Sequence, residues 1–357
     1  MQCRIWLISW LAFFRNPDGF TIGRFSLGEA WSGQWSKGVR GSYLQRHPGS
    51  GRTQSVCVTG LEHFTKWYRR GELKELKDKV AAITGAGSGI GKATAELLAS
   101  QGCHLALSDV QGPALLAVAE QCRKHGVQVM TDTVDVANRE AVYAWADRVA
   151  RTMGHVHIII NNAGVALGAT VEDMNYADFE WLMNINFWGV VYGTKAFLPH
   201  LKTAGEGHVV NISSVFGLIA VPTQSAYNAA KFAVKGFTEA LREELVIEGS
   251  PIGVSCVHPG GIKTNIAANA RLTASSGFTS SGSRLEMEKM FMTPPEQAAR
   301  DIVNGIRRNR RRILIGPDAQ VIDWVSRLLP EHYQDLLVLG GRWRRRSMLK
   351  SKGSATV

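Results

Sequence analysis

No Cys-x-x-Cys pair occurs in this chain, and its cysteines (Cys3, Cys57, Cys103, Cys122 and Cys256) are odd in number. That usage excludes a disulfide framework and a zinc site, and the five read as free thiols, with Cys103 and Cys256 packed in strands. The histidines form no ligand cluster, so no metal is expected. Long apolar runs are missing too. The most conspicuous, Ile5 to Phe14, has ten residues, about half of what a bilayer span needs. Arg4 precedes it as in a signal peptide, but no small-x-small cleavage pattern follows. Residues 1–72 also lack any sustained helical or alternating period, although they hold five of the ten tryptophans. They read as an N-terminal extension, disordered or outside the functional part of the protein.

The net charge is +11, but the excess is absent from the middle of the chain. Residues 76–330 carry 24 Lys plus Arg against 23 Asp plus Glu, whereas 1–75 carry 11 against 5 and 331–357 carry 6 against 2. Basicity therefore belongs to the ends and does not point to nucleic acid as a partner. The run Arg307-Arg308-Asn309-Arg310-Arg311-Arg312 reads as a solvated face.

From Leu73 onward, strand and helix patterns alternate. Strands are expected at 79–84, 104–108, 127–131, 156–160, 208–213, 253–258 and 312–315, with helices at 89–101, 112–125, 138–153 and 225–247. The strands are continuous apolar runs such as Val156 to Ile160, as expected when both faces are covered. The fold class is α/β, a Rossmann-type doubly wound parallel sheet with helices on both faces, in one catalytic domain over 73–330. An aperiodic Ser-, Ala- and Gly-rich segment spans Lys263 to Thr293, and a basic tail follows at 331–357.

Two motifs carry chemistry. Tyr227 and Lys231, in Ser225-Ala226-Tyr227-Asn228-Ala229-Ala230-Lys231, are four apart and share a helix face. A neighbouring ammonium favours the phenolate, which would make a group of pKa about 10 usable for proton transfer. Upstream, the strand Val80-Ala81-Ala82-Ile83-Thr84 runs into Gly85-Ala86-Gly87-Ser88-Gly89-Ile90-Gly91 and then a helix. Strand, glycine turn and helix N-terminus suit a dinucleotide pyrophosphate. The spacing is T-G-x-x-x-G-x-G, with Ile90 where the commoner fingerprint has its last glycine.

With Asn161-Asn162-Ala163-Gly164 and Ser214, these motifs stand in the order seen in the short-chain dehydrogenase/reductase family, which the chain resembles from about Leu76 to about Pro330. The resemblance implies a nicotinamide cofactor held by Gly85, Ser88, Gly89, Ile90 and Gly91 at the pyrophosphate and by Asp135 and Val136 at the adenine. Asn162, Ala163 and Gly164 would line it. Pro259, Gly260, Ile262 and Thr264 would lie on the nicotinamide side. Asp109 ends its strand about twenty residues after the glycine turn, where a carboxylate accepts from ribose hydroxyls and repels a 2′-phosphate. With Ser88 and Val110 rather than cations nearby, NAD is preferred and NADP is not excluded. The implied catalytic set is Asn186, Ser214, Tyr227 and Lys231. Tyr227 is the general acid/base, Ser214 orients the substrate oxygen, and Asn186 supports a proton relay. Lys231 also binds the nicotinamide ribose. Asn184 and Ser213 are neighbouring decoys.

Ala166, Leu167, Val215, Phe216, Leu218 and Val221 are expected near the substrate and are apolar. They suggest a hydrophobic secondary alcohol or ketone. A homodimer or homotetramer in the cytoplasm is expected. Two alternatives stand beside this reading: a non-catalytic dinucleotide-binding regulator on the same fold, and a peripheral membrane reductase of lipid-like substrates. The apolar start, the amphipathic 321–339 region and the basic tail are compatible with the latter.

Overall fold

The computed structural model describes strands β1 (Leu11–Asn16), β2 (Gly19–Arg24), β3 (Arg40–Arg46) and β4 (Thr53–Thr59), and then residues 71–273 and 291–342. The chain divides into two compact units, Met1–Arg69 and Arg70–Val357. In the first, β1 pairs antiparallel with β2 and β3 with β4. The sequence reading placed no regular structure there. Such pairs are held by backbone hydrogen bonds and need no period in the side chains. The dipeptides of Asn16-Pro17-Asp18-Gly19 are nevertheless a turn signal.

The second unit is built on seven parallel strands: β5 (Val80–Thr84), β6 (His104–Asp109), β7 (Val129–Thr133), β8 (Ile158–Asn161), β10 (Gly207–Ile212), β11 (Ile252–Pro259) and β13 (Arg312–Ile315). Their spatial order is β13-β11-β10-β8-β5-β6-β7. The chain thus builds outward from β5 to β7, returns to β8 beside β5, and builds the other way. This reversal opens a crevice at the carboxyl ends of β5 and β8, where ligands bind in open α/β sheets.

Side chains of β5 alternate between the two faces of the sheet. Ala81 and Ile83 join a core with helices α1 (Gly89–Ser100), α2 (Gly112–Arg123) and α7 (Pro295–Arg307), through Leu98, Leu115 and Ile302. Val80 and Ala82 join the opposite core with α3 (Arg139–Met153), α5 (Gly189–Ala204) and α6 (Ser225–Glu248). There Trp145 meets Phe197 edge-on at 4.9 Å. Burial on both faces is the reason the strands read as unbroken apolar runs.

Helix α4 (Tyr176–Met183) and α5 are joined by a π-helical turn, Asn184–Trp188. Two short strands, β9 (Leu167–Gly168) and β12 (Arg271–Leu272), pair in parallel and tie the start of the 263–293 segment to the loop after β8. The stretch Ala274 to Ser283 of that segment lies outside the described residues. After β13 come α8 (Pro317–Leu328) and a further helix, α9, over 333–342. The described part of the expected tail is therefore helical.

Candidate active site

The glycine turn follows β5 because its backbone must do what other residues resist. Gly85 has φ +64° and Gly89 φ +53°. A Cβ on Gly85 would lie 2.8 Å from the Ala163 Cα, and one on Gly91 would lie 2.6 Å from Asn162 Nδ2 and run into the Gly85 carbonyl. Ser88 is the extended residue before α1, whose free N–H groups and dipole suit an anion. Beside them lies a hollow of about 200 Å³, lined among others by Gly89, Lys92, Lys263 and Thr264. The two lysines were not singled out from the sequence; they share the hollow with Glu96 and Glu296, and Lys92 lies 3.9 Å from Glu96.

Several predicted cofactor residues hold the protein's own backbone. Asn162 donates from Nδ2 to the Thr84 carbonyl (2.9 Å) and the Gly85 carbonyl (3.0 Å). The Asn162 and Ala163 N–H groups donate to Thr84 Oγ1 (3.0 and 3.1 Å). Asn162 is thus a brace that shapes the turn. Asp109 accepts the Gly87 N–H on Oδ2 and the Gln111 N–H on Oδ1, both at 2.9 Å, which aims its carboxylate at the mouth of the turn. Asp135 is exposed after β7 and accepts the Ala137 N–H (2.9 Å), while Val136 is buried against Gly189.

The loop after β11 closes the other side. Pro259 ends the strand, Ile262 is buried, and Thr264 lies against Gly89. Gly260 has a cause that the sequence hid: the Asp318 carboxylate occupies the space where its Cβ would be. Asp318, in the first turn of α8, accepts the Gly261 N–H at 2.6 Å. No short-range pattern links these residues.

Tyr227 and Lys231 stand in the first turns of α6. The Tyr227 hydroxyl faces Ser214, and the ring meets Phe216 edge-on at 6.1 Å. Lys231 Nζ lies 5.5 Å from the centre of the Tyr227 ring and donates to the Ile212 carbonyl at 3.0 Å. Burial pushes the phenol up to about 12, opposed by the Ser214 hydrogen bond, and pushes Lys231 down to about 8. This corrects the sequence reading, in which the ammonium lowers the phenol. In the protein alone, desolvation sets the direction of the shift, and what opposes it is Ser214 rather than Lys231.

The paired decoys separate cleanly in space. Ser213 donates to the Lys231 carbonyl at 2.8 Å, whereas Ser214 reaches Tyr227. Ser214 also accepts the Phe216 N–H (3.1 Å), and its carbonyl meets His258 Nδ1 at 3.0 Å. Burial lowers His258 to about 4. The neutral ring must then carry its proton on Nδ1 to make that bond. Asn186 is buried in the π-helical turn, and both side-chain atoms engage Val165: Oδ1 accepts its N–H and Nδ2 donates to its carbonyl, each at 2.8 Å. It shapes the turn containing Gly164, whereas the Asn162 side chain braces Thr84 and Gly85.

A glycine turn on a parallel strand, with Ser214, Tyr227 and Lys231 gathered at the same crevice, is the arrangement of one family. The profile described as short chain dehydrogenase matches residues 79–275, over half of the chain. The chain belongs to the short-chain dehydrogenase/reductase family. It is 47% identical over 268 residues to oxidoreductase SadH of Mycobacterium tuberculosis, covering 75% of this chain and 97% of that protein. It is 31% identical over 283 residues to human (Homo sapiens) estradiol 17-beta-dehydrogenase 11, covering 79% and 89%. Among solved structures, a short-chain dehydrogenase/reductase from Burkholderia phymatum in complex with NAD superposes with a TM-score of 0.67 at 32% identity, covering 73% of this chain and 95% of that one. The short-chain dehydrogenase/reductase assignment carries NAD(P)-dependent oxidoreduction of CH–OH and C=O groups. Among the described residues no group of His, Cys, Asp and Glu could hold a metal ion, and no helix is long and apolar enough to cross a membrane.

Proposed function

We propose that this short-chain dehydrogenase/reductase interconverts a hydrophobic secondary alcohol and its ketone, with Tyr227 as general acid/base. The observation that carries the reading is the gathering of Ser214, Tyr227 and the buried Lys231, whose Nζ lies 5.5 Å from the centre of the Tyr227 ring. The nicotinamide supplies or accepts the hydride when bound. In reduction Tyr227 gives its proton to the carbonyl oxygen, and in oxidation it takes the hydroxyl proton. Ser214 holds that oxygen, fixed from behind by His258. A phenol raised by burial is a poor base until positive charge arrives. Lys231 carries one such charge beside the phenol and a bound oxidised nicotinamide would add another, so proton removal would be coupled to cofactor loading. Asn186 acts here as a positioning residue that holds the Val165 turn.

The substrate class rests on Leu167, which packs in one cluster with Tyr227, and on Val215 and Phe216, which follow Ser214. The relative named as an estradiol dehydrogenase fits the same class. NAD is preferred because the Asp109 carboxylate stands at the ribose end of the turn, where it repels a 2′-phosphate.

The test is a panel of steroid and aliphatic ketones followed by NADH and NADPH absorbance. Turnover with NADH should exceed that with NADPH, and Asp109→Ala should narrow the ratio of the two kcat/KM values. An unchanged ratio would place cofactor choice elsewhere. Stoichiometric NADH binding with no turnover of any ketone would favour the regulatory alternative.

A further inference from the structure

The last described stretch of the chain carries apolar side chains that nothing among the described residues covers. Helix α8 turns Ala319 and Asp323 inward, and Asp323 receives Arg312 (2.6 Å) and Arg327 (3.0 Å). Its other side leaves Val321, Trp324 and Leu328 exposed by 61, 65 and 69%. Spacings of three and four place these on one stripe. Helix α9 adds Leu336 and Leu339, also exposed. It is anchored by Tyr333, which is buried and whose hydroxyl accepts the Ala220 N–H at 3.1 Å. Apolar side chains gathered this densely mark an interaction surface, unlike single exposed residues scattered elsewhere.

Charge indicates the occupant. Directly after the stripe, residues 342–352 hold Arg342, Arg344, Arg345, Arg346, Lys350 and Lys352 and no acidic residue. A two-fold contact between copies presents the same patch twice. Centred on this stripe, it would bring two such basic segments towards one place. An acidic lipid surface matches both features: the stripe enters the acyl boundary and the cations meet the headgroups.

We propose that the exposed apolar side of α8 and α9 docks the protein on an anionic bilayer surface, with the basic sequence that follows adding electrostatic attraction. The inference does not rest on the hydride-transfer reading. It does place the docked helix next to the site, because Asp318 in the first turn of α8 holds Gly261.

Flotation of the full chain with vesicles tests this, using phosphatidylcholine alone and phosphatidylcholine mixed with phosphatidylserine. Bound protein should rise at least tenfold with the anionic lipid, given about 1 kcal/mol per basic residue near such a surface, and should fall as salt is added. Trp324→Ser with Leu328→Ser should abolish flotation while melting temperature and turnover of a water-soluble alcohol stay as they were. Arg344→Gln, Arg345→Gln and Arg346→Gln together should remove the preference for anionic lipid. The proposal is overturned if the chain does not float, or if the double serine variant floats equally well. It is also overturned if sedimentation shows a dimer that the serine substitutions dissociate, since the face would then belong to a second copy.

Discussion

Two buried polar clusters lie on the same sheet, and they are built to opposite ends. One runs from β8 through β10 to α6. Asn161 donates from Nδ2 to Thr194 (3.0 Å) and Asn211 (2.8 Å), Asn211 donates to Thr238 (3.0 Å), and Thr238 donates to the Val234 carbonyl (2.6 Å). Its members satisfy one another, apart from Asn161 Oδ1, which is buried without a partner. The other cluster is Ser214, Tyr227 and Lys231. Among the described residues the Lys231 ammonium, a triple donor, donates to one carbonyl, and burial drives both ionisable groups toward neutrality. A cluster closed on itself holds strands and helix together. A cluster with donors to spare awaits a ligand.

The sharpest separation of the two should come from Tyr227→Phe. The ring and its contact with Phe216 survive and the transferable proton does not, so turnover should fall by about 10²–10⁴-fold or more, with NADH binding retained. Near-normal turnover would remove the functional half of the comparison.

Asn211→Ala should act on stability instead. It takes one of two acceptors from Asn161 Nδ2 and the donor from Thr238 Oγ1, at about 1–3 kcal/mol for a buried unsatisfied group. That is a fall in melting temperature of about 2–4 °C per kcal/mol in a chain of this size, while activity per folded molecule stays close to that of the parent. If activity vanished at temperatures where the variant is folded, the network would belong to the site.

The smallest effect carries the most telling sign. Lys231 binds its proton less tightly in the folded chain, about 8, than at its ordinary value of 10.5. The unfolded chain therefore holds more protons between those limits, and stability rises with pH across that window. At neutral pH the buried ammonium is a burden, so Lys231→Met should raise the melting temperature of the cofactor-free protein by a few degrees and flatten its rise between pH 8 and 10.5. Turnover and cofactor affinity should fall together. A lower melting temperature would make the two clusters alike.

Much of this was legible from local pattern. The inner core strands announced themselves because burial on both faces favours apolar residues, as in Val156 to Ile160, whereas the edge strand β7 carries Thr131, Asp132 and Thr133 and is only partly buried. The glycine turn was legible by spacing, since Gly85 and Gly91 are demanded by atoms a Cβ would strike. Tyr227 and Lys231 were legible by helical separation. What stayed hidden depends on residues far apart in the chain. Asp318 lies 57 residues from the Gly261 it holds. The direction of the Tyr227 shift follows from enclosure, which no four-residue spacing reports. Asn162 was read as lining the cofactor, and its spacing gave no sign that its amide also braces the turn through the Thr84 and Gly85 carbonyls. The pairing of β1 with β2 and β3 with β4 rests on backbone bonds, to which side-chain period is blind.

The π-helical turn at Asn184–Trp188 places a constraint on chain length rather than on composition. Removing one residue there would let α4 run into α5 as an uninterrupted α-helix, locally the more regular structure. It would also rotate everything on one side of the gap by about 100° relative to the other. Either Asn186 would leave Val165, or Gly193 would leave the Asn161 side chain it faces. At this point an exchange of the exposed Trp188 is a smaller insult than the loss of any single residue. Over descent, deletions should be purged from this turn even where its surface side chains drift.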